Sequence, residues 1–175
     1  MPAGPRGVRV VVVRHGPAEI RDPARWPDDA ERPLTAKGIA QFRRAARPLA
    51  DFAKGAGRLA TSDARRSVQT AELLRAAFRR APRLERWPEL ASGNLAQPIF
   101  DRIRRSARPR ELLVIVGHEP TLNEFLGLAL TGESVSAVRL TKGGAACVEF
   151  DASVRAGGGR LLWLLTRKQL AAVRD

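Results

Sequence analysis

The chain has 175 residues, of which 44% are hydrophobic and 28% are charged, and this composition argues against a disordered, collagen-like or coiled-coil protein. Its length predicts one domain spanning residues 1–175, with residues 1–7 as a flexible N-terminal segment. Thirty-one Lys and Arg against eighteen Asp and Glu leave a net charge of +13, which indicates an anionic partner such as nucleic acid, an acidic membrane surface or a phosphorylated substrate.

The make-up of the charge disfavours nucleic acid. Only four of the basic residues are lysines, so an arginine-rich coding bias can account for much of the excess. Aromatic residues make up 5% of the chain and Tyr is absent, which leaves few stacking platforms for single strands. Cys147, the one cysteine, excludes an intrachain disulfide and a Cys-based zinc cluster. With no apolar run near the ~20 residues that a membrane span requires, we predict a cytoplasmic protein without a membrane partner.

Apolar and β-branched runs predict strands, and helical spacing of apolar residues predicts helices between them. A buried strand at 8–13 is followed by a helix at 36–53, a short strand at 58–61 and a helix at 67–78. A weaker helix at 95–107 precedes a second strongly apolar strand at 112–116, and two more strands follow at 145–150 and 161–165. Loops are predicted at 17–34, 82–94 and 153–159.

A further helix is predicted to begin at Thr121, because Thr121 and Glu124 have the spacing of a capping box. The alternation of strands and helices along the chain predicts an α/β fold with a mostly parallel sheet. Helices are expected to cover both of its faces.

The chain has two histidines, and each comes directly after one of the two strongly apolar strands. His15 follows the strand at 8–13 and His118 follows the strand at 112–116. Ligands of open parallel sheets bind beyond the carboxyl ends of the strands. If these two strands are neighbours, both histidines lie in the same crevice and form a candidate reaction centre.

Cationic residues stand beside both ends of this predicted crevice. Arg14 precedes His15, and Gly16 allows close approach of the backbone to a ligand. The segment 61–71, in which a strand end leads into a helix, contributes Arg65 and Arg66. Guanidinium groups match phosphate oxygens in bidentate geometry, and helix amides favour anions. The sequence therefore predicts a phosphoryl-binding pocket that needs no metal and no cofactor.

These motifs resemble those of the histidine phosphatase superfamily, and the chain is most similar to its SixA-type phosphohistidine phosphatases. The ordered matches run from about residue 8 to residue 170. The segment 62–71 departs from the family pattern at Asp63 and Ser67, and its register selects Arg66 rather than Arg65 as the phosphate ligand. The matching segments are the hallmark Arg14-His15-Gly16, the stretch 32–38, the segment 62–71, the second-histidine motif 117–122 and the tail 162–170.

The resemblance implies a three-layer α/β/α sandwich, as in phosphoglycerate mutases, and a two-step phosphoryl transfer. His15 would attack phosphorus and form a phosphohistidine intermediate, which water would then hydrolyse. Arg14, Arg66 and His118 would bind the phosphoryl oxygens, with Gly16 in the binding site. The two flanking arginines would also favour the neutral form of His15. The partner implied is a phosphorylated substrate, most consistently a phosphohistidine in a protein.

The first candidate for the proton donor to the leaving group is Glu19, four residues after His15, followed by Glu85 and Glu89, and the alternative that none of them serves stays open. A phosphohistidine substrate would need little acid assistance, because its N–P bond is labile. The alternatives are a phosphatase of small phosphoesters, a mutase, and a non-catalytic module of the same fold that binds phosphate or nucleic acid. The oligomeric state, the general acid and the physiological substrate stay open at this stage.

Overall fold

A central sheet organises the protein, whose computed structural model describes residues 7–151 and 153–173. Within these residues the strands are β1 (Val8–Arg14), β2 (Arg58–Thr61), β3 (Arg83–Arg86), β4 (Leu112–Gly117), β5 (Ala145–Phe150) and β6 (Gly159–Leu165). They form one sheet in the order β3-β2-β4-β1-β5-β6. The first four strands of that order are mutually parallel, β5 runs antiparallel to β1, and β6 pairs antiparallel with β5. The predicted flexible segment lies outside the described residues except for Gly7.

Helices cover both faces of the sheet, as predicted. They are α1 (Ala36–Phe52), α2 (Arg65–Ala77), α3 (Ala96–Ser106), α4 (Thr121–Thr131) and α5 (Arg167–Ala172). Alternate residues of β1 point to opposite faces: Val11 and Val13 pack in the core under α1, α2 and α5, whereas Val10 and Val12 pack in the core under α3 and α4. This arrangement confirms the α/β class with a mostly parallel sheet. No helix in the described part of the chain is long and apolar enough to cross a membrane.

The prediction of a loop at 82–94 was wrong. This segment contains β3, which pairs in parallel with β2, and a short 3-10 helix at Pro88–Leu90. The strand Arg83–Arg86 has charged residues at three of its four positions, so it carries no apolar periodicity. Its conformation comes from hydrogen bonding to the edge of β2, which a local pattern does not reveal.

The predicted capping box at Thr121 and Glu124 was also wrong. Pro120 occupies the N-cap position with helical backbone angles, and no side chain caps the helix. The backbone amides of Leu122 and Glu124 instead donate to the carbonyls of His118 and Pro120. The Thr121 hydroxyl is thus available to donate to the Asn94 carbonyl at 2.7 Å. The capping box found in the described residues joins Thr166 and Gln169 at the start of α5, a helix that the sequence analysis did not predict.

The sheet order brings the candidate residues together. Strand β1 lies directly beside β4, with Arg14 opposite Gly117, and β4 lies beside β2, with Val116 opposite Thr61. The strands are parallel, so the residues that follow them, His15, His118 and Ser62, emerge at the same edge of the sheet. The expectation that the strands of the two histidines are neighbours is confirmed.

Candidate active site

Two buried histidines face each other at the carboxyl edge of the sheet. The ring centroids of His15 and His118 are 5.1 Å apart, and the ring planes are inclined by 53°. His15 is 7% exposed and His118 is 2% exposed. The two rings are therefore close enough to contact one small ligand, and both are largely shielded from water.

His15 is held as a neutral ring with a free Nε2 lone pair. Its Nδ1 lies 2.7 Å from the carbonyl oxygen of Gly16. A carbonyl can only accept, so Nδ1 carries the hydrogen and Nε2 is the nucleophilic nitrogen. Burial, together with the charges of Arg66, Arg14 and Lys142, lowers the pKa of His15 to about 3, and the hydrogen bond to Gly16 opposes that shift.

His118 is held from its Nε2 side by two hydroxyl groups. Its Nε2 lies 2.8 Å from Ser62 Oγ and 3.2 Å from Ser67 Oγ. Its Nδ1 is buried and has no hydrogen-bond partner among the described residues. Burial lowers the pKa of His118 to about 3, and the nearby His15 and Arg66 act in the same direction.

Arg14 is anchored by a backbone carbonyl and a carboxylate. Its Nη1 donates to the Leu140 carbonyl at 2.9 Å and forms an ion pair with Glu119, the residue after His118. Its Nε is buried and has no partner among the described residues. Burial lowers the pKa of Arg14 and the Glu119 carboxylate opposes that shift, so the guanidinium group remains charged near neutral pH.

Arg66 is anchored twice by one residue, Asp29. Arg66 Nη1 donates to the Asp29 carbonyl at 2.6 Å, and Nη2 lies 3.0 Å from Asp29 Oδ2. The Asp29 carboxylate also accepts from Arg32 Nε at 2.8 Å, which is the main cause of its lowered pKa. Arg66 is 3% exposed, whereas the neighbouring Arg65 is exposed to solvent.

Several buried hydrogen-bond donors of this candidate site have no partner. Among the described residues, Arg14 Nε, Arg66 Nε and His118 Nδ1 are buried without a hydrogen-bond partner. A buried polar group without a partner costs about 1–3 kcal/mol, so a cluster of them indicates a ligand that supplies acceptors. Two guanidinium groups favour a ligand with several negatively charged oxygens, such as a phosphoryl group.

Gly16 contributes through its backbone in a way that the sequence did not suggest. Its amide donates to Thr70 Oγ1 at 3.0 Å, and that hydroxyl donates to the Arg66 carbonyl at 2.7 Å. The amide of Gly16 is therefore engaged within the protein, while its carbonyl orients His15. Thr70 in turn ties the His15 loop to the first turns of α2.

The three candidate acids have other partners. The carboxylate of Glu19 lies 3.9 Å from Arg25 Nη1 near the protein surface. Glu85 accepts from the indole Nε1 of Trp87 at 2.9 Å, and Glu89 accepts from Arg102 at 2.7 Å. Among the described residues none of these carboxylates hydrogen-bonds to His15 or His118. Glu119 and Asp29 are the carboxylates that contact the site arginines.

The sequence analysis did not single out four residues that contact the candidate site. Glu119 stands inside the quoted second-histidine motif, and Ser67 is a departure from the family pattern, so both carried a signal. Asp29 lies in a loop without a recognisable pattern. The four residues are Asp29, Ser62, Ser67 and Glu119. In the described part of the chain, no group of three or more His, Cys, Asp or Glu side chains is arranged to hold a metal ion.

Comparison with known proteins agrees with this geometry. Residues 10–98 match the model of the histidine phosphatase superfamily (branch 1). An uncharacterized protein of Picosynechococcus sp. is 33% identical over 155 residues, which cover 87% of this chain and 92% of that protein. The chain belongs to the histidine phosphatase superfamily. Membership of this family supports phosphatase activity on a phosphorylated substrate.

Solved structures of other histidine phosphatases share the fold. The structure of the protein histidine phosphatase SixA complexed with tungstate has a TM-score of 0.77 at 22% identity, covering 93% of this chain and 99% of that one. The alpha-ribazole phosphatase of Shigella flexneri has a TM-score of 0.63 at 18% identity, covering 91% of this chain and 96% of that one. At these identities the likeness shows the phosphoglycerate mutase-like fold, which confirms the predicted architecture.

Proposed function

We propose that this histidine phosphatase removes the phosphoryl group from a phosphohistidine in a protein, through a covalent intermediate on His15 and without a metal ion or cofactor. The observation that carries the proposal is the neutral, oriented His15 ring opposite His118, with buried unpartnered donors on Arg14 and Arg66. This arrangement supplies a nucleophile together with positive charge for a phosphoryl group.

In the first step, the lone pair of His15 Nε2 attacks phosphorus and forms an Nε2–P bond. The bond between phosphorus and the substrate nitrogen breaks, and its electron pair stays with the substrate imidazole. Arg14 and Arg66 bind the phosphoryl oxygens, where their charge stabilises the transition state. The Gly16 carbonyl accepts the hydrogen bond from His15 Nδ1 and stabilises the positive charge that develops on the ring.

His118 takes part as a neutral hydrogen-bond donor. The hydroxyls of Ser62 and Ser67 lie next to its Nε2, and by donating to that nitrogen they leave the hydrogen on Nδ1. The buried Nδ1–H, which has no partner among the described residues, then donates to a phosphoryl oxygen. A neutral ring is maintained because burial strongly lowers the pKa of His118.

In the second step, a water molecule attacks phosphorus and the Nε2–P bond breaks. The electron pair returns to His15 Nε2, and inorganic phosphate is released. The same arginines stabilise both transition states, since each step moves negative charge onto the same oxygens. The enzyme returns to its starting state without any oxidant, reductant or cofactor.

The carboxylates around the site favour a phosphohistidine substrate over a phosphoester. An alkoxide leaving group needs an acid, and the carboxylates of Glu19, Glu85 and Glu89 are engaged with Arg25, Trp87 and Arg102 instead. A phosphohistidine that is protonated on its other ring nitrogen leaves as neutral imidazole without such an acid. The likeness of the fold to SixA supports the same substrate class.

A comparison of three substrates with a chelator present tests the proposal. The purified protein is assayed with a phosphohistidine peptide, a phosphoserine peptide and a small sugar phosphate, each with and without EDTA. We expect turnover of the phosphohistidine peptide to be the fastest and to be insensitive to EDTA. Faster turnover of the sugar phosphate would favour the alternative small-phosphoester phosphatase. Absence of turnover with all three would favour the non-catalytic phosphate-binding module.

The nucleophile is tested by trapping. Labelled substrate should leave a phosphoryl group on His15 that is released in acid and retained in base, as expected of a phosphorus–nitrogen bond. His15→Ala should abolish both the trapped label and turnover, with an unchanged far-UV circular dichroism spectrum. The matched control is His118→Asn, which keeps the nucleophile and should still be labelled. A labelled His15→Ala protein would refute the assignment. Tungstate, which was bound in the SixA structure, should inhibit turnover as a phosphate analogue.

A further inference from the structure

A second cationic feature lies directly beside the candidate active site. A cavity of about 580 Å³ opens between the loop that precedes β5 and the start of α5. Arg14 belongs to both, since it lines this cavity and its charge also acts on His15, the next residue. The charged side chains that line the cavity are all cationic: Arg14, Arg139, Lys142, Arg167 and Lys168.

The backbone holds this cavity in a set position relative to His15. The amide of Gly143 donates to the carbonyls of Arg14 and His15 at 3.1 and 3.0 Å, and the amide of Arg14 donates to the Gly144 carbonyl at 3.1 Å. Lys142 directly precedes Gly143, whose amide is hydrogen-bonded to the backbone of the reaction centre. Its charge is among those that lower the pKa of His15.

A glycine allows one of the cations to lie across this loop. Gly143 has a positive φ of 74°, a conformation that side chains rarely adopt. A Cβ atom at this position would lie 2.8 Å from the Arg167 Cδ atom. Replacing Gly143 would therefore displace Arg167 from the wall of the cavity.

The positive charges in this cavity are mostly uncompensated. Glu119 pairs with Arg14 and lies 3.8 Å from Arg139 Nε. Among the described residues, no carboxylate lies within ion-pair distance of Lys142, Arg167 or Lys168, and Arg167 Nε is buried without a partner. Like charges gathered around one cavity repel one another until an anion enters it. The cluster therefore indicates a bound anion.

An arginine-rich coding bias would not explain the lysines of this cluster. The chain has four lysines, and two of them, Lys142 and Lys168, line this one cavity. Both are exposed, so their flexible ammonium groups can reach a ligand at the mouth of the cavity. Specific contacts with a substrate thus provide a reason for lysine at these positions.

We propose that this cavity binds a second anionic group of the substrate, next to the phosphoryl group that is transferred. This inference rests on the proposed function, under which the second group consists of Asp or Glu side chains that flank the phosphohistidine in the protein substrate. A second phosphate of a small molecule would offer the same chemistry. The cavity volume of about 580 Å³ is sufficient for either.

The test measures a ratio of specificity constants. A phosphohistidine peptide with glutamates beside the phosphohistidine is compared with one that has glutamines there, and a small bisphosphate is compared with the corresponding monophosphate. We expect the wild-type protein to prefer the acidic peptide, so that the ratio of kcat/KM for the acidic peptide to kcat/KM for the glutamine peptide is above one. In the double variant Lys142→Gln/Lys168→Gln this ratio should fall by about five- to tenfold. The ratio cancels any effect of the substitutions on the reactivity of His15. The preference should also fall as salt is added.

A double variant of equal charge provides the control. Lys54 follows α1 and Arg80 precedes β3, so both lie near the opposite, amino edge of the sheet, and both are exposed. Lys54→Gln/Arg80→Gln also removes two positive charges and should leave the ratio unchanged. An equal fall of the ratio in both variants would refute the subsite, since it would mean that only net charge matters.

The two pairs of substrates separate the subsite from the proposed function. A charge preference confined to the peptides supports a protein substrate with acidic flanks. A preference for the bisphosphate, with no turnover of either peptide, would refute the proposed function while supporting the subsite for a small molecule. Turnover of the peptides with no preference in either pair would refute the subsite while leaving the proposed function intact.

Discussion

Removing the two hydroxyl groups beside His118 Nε2 is the sharpest test of the role of this histidine. Ser62 Oγ lies 2.8 Å and Ser67 Oγ 3.2 Å from Nε2, and both serines are fully buried. Under the proposed mechanism these hydroxyls donate to Nε2 and keep the hydrogen on Nδ1. Without them, the ring is free to place its hydrogen on Nε2, which would turn the Nδ1 lone pair toward the phosphoryl oxygens.

The expected magnitudes follow from the two contacts. Ser67→Ala leaves the shorter contact with Ser62 in place, so kcat/KM should fall by about threefold at most, which corresponds to the lower end of a net hydrogen-bond contribution. Ser62→Ala removes the shorter contact and should cost about 1 kcal/mol, or roughly fivefold. The double variant leaves buried Nε2 without a partner and should lose about 2–3 kcal/mol, or roughly 30- to 150-fold.

Kinetics and nitrogen NMR together distinguish this role from simple packing. We expect the loss to fall mainly on kcat, since the Nδ1–H bond strengthens in the transition state. The ¹⁵N shifts of His118 should report hydrogen on Nδ1 in the wild-type protein and a mixture of tautomers in the double variant. Ser106→Ala, which removes a hydroxyl 3.4 Å from Arg58 Nη1 at the other end of the molecule, is the control. Wild-type kcat/KM in the double variant would refute the reasoning.

Three further predictions follow from the charges of the site. Because the pKa values of both His15 and His118 are lowered to about 3, an NMR titration of the protein without substrate should find both rings neutral between about pH 5 and 8, and protonation of the His15 ring near pH 6.5 would contradict a buried neutral nucleophile. The same shifts affect stability, because a histidine in the unfolded chain protonates near pH 6.5. Each buried histidine should therefore lower the free energy of unfolding by about 1.4 kcal/mol per pH unit as the pH falls from 6.5 toward 3. Denaturant titrations of His118→Asn should show a smaller pH dependence than those of the wild-type protein. Asp29→Asn weakens the ion pair that anchors Arg66 and should lower kcat/KM by about tenfold or more. The control Asp28→Asn alters a carboxylate that accepts a hydrogen bond from the Ala30 amide, and it should have little effect. Equal kinetics of the two variants would show that Asp29 does not position Arg66.

The strongest local patterns predicted the elements that hold the histidines. The runs in β1 and β4 are buried on both faces and consist of Val, Leu and Ile, so their strand conformation is apparent from composition alone. Strand β3 has no such pattern, because its pairing with β2 determines its conformation. The spacing of Thr121 and Glu124 wrongly predicted a capping box, because the backbone carbonyls of His118 and Pro120 already accept from the first amides of α4.

The sequence by itself predicted which residues form the candidate site. A short run of bulky apolar residues that ends in Arg-His or Gly-His places a polar side chain at the end of a buried strand, and this follows from local composition. Only the tertiary structure decided how those side chains are held. The contacts of Asp29 with Arg66, of Glu119 with Arg14 and of Ser67 with His118 join segments of the chain by way of the sheet order. The gathering of Lys142 and Lys168 beside Arg14 likewise depends on where the loop before β5 meets the start of α5, because the interaction between charges is set by their distance in space rather than along the chain.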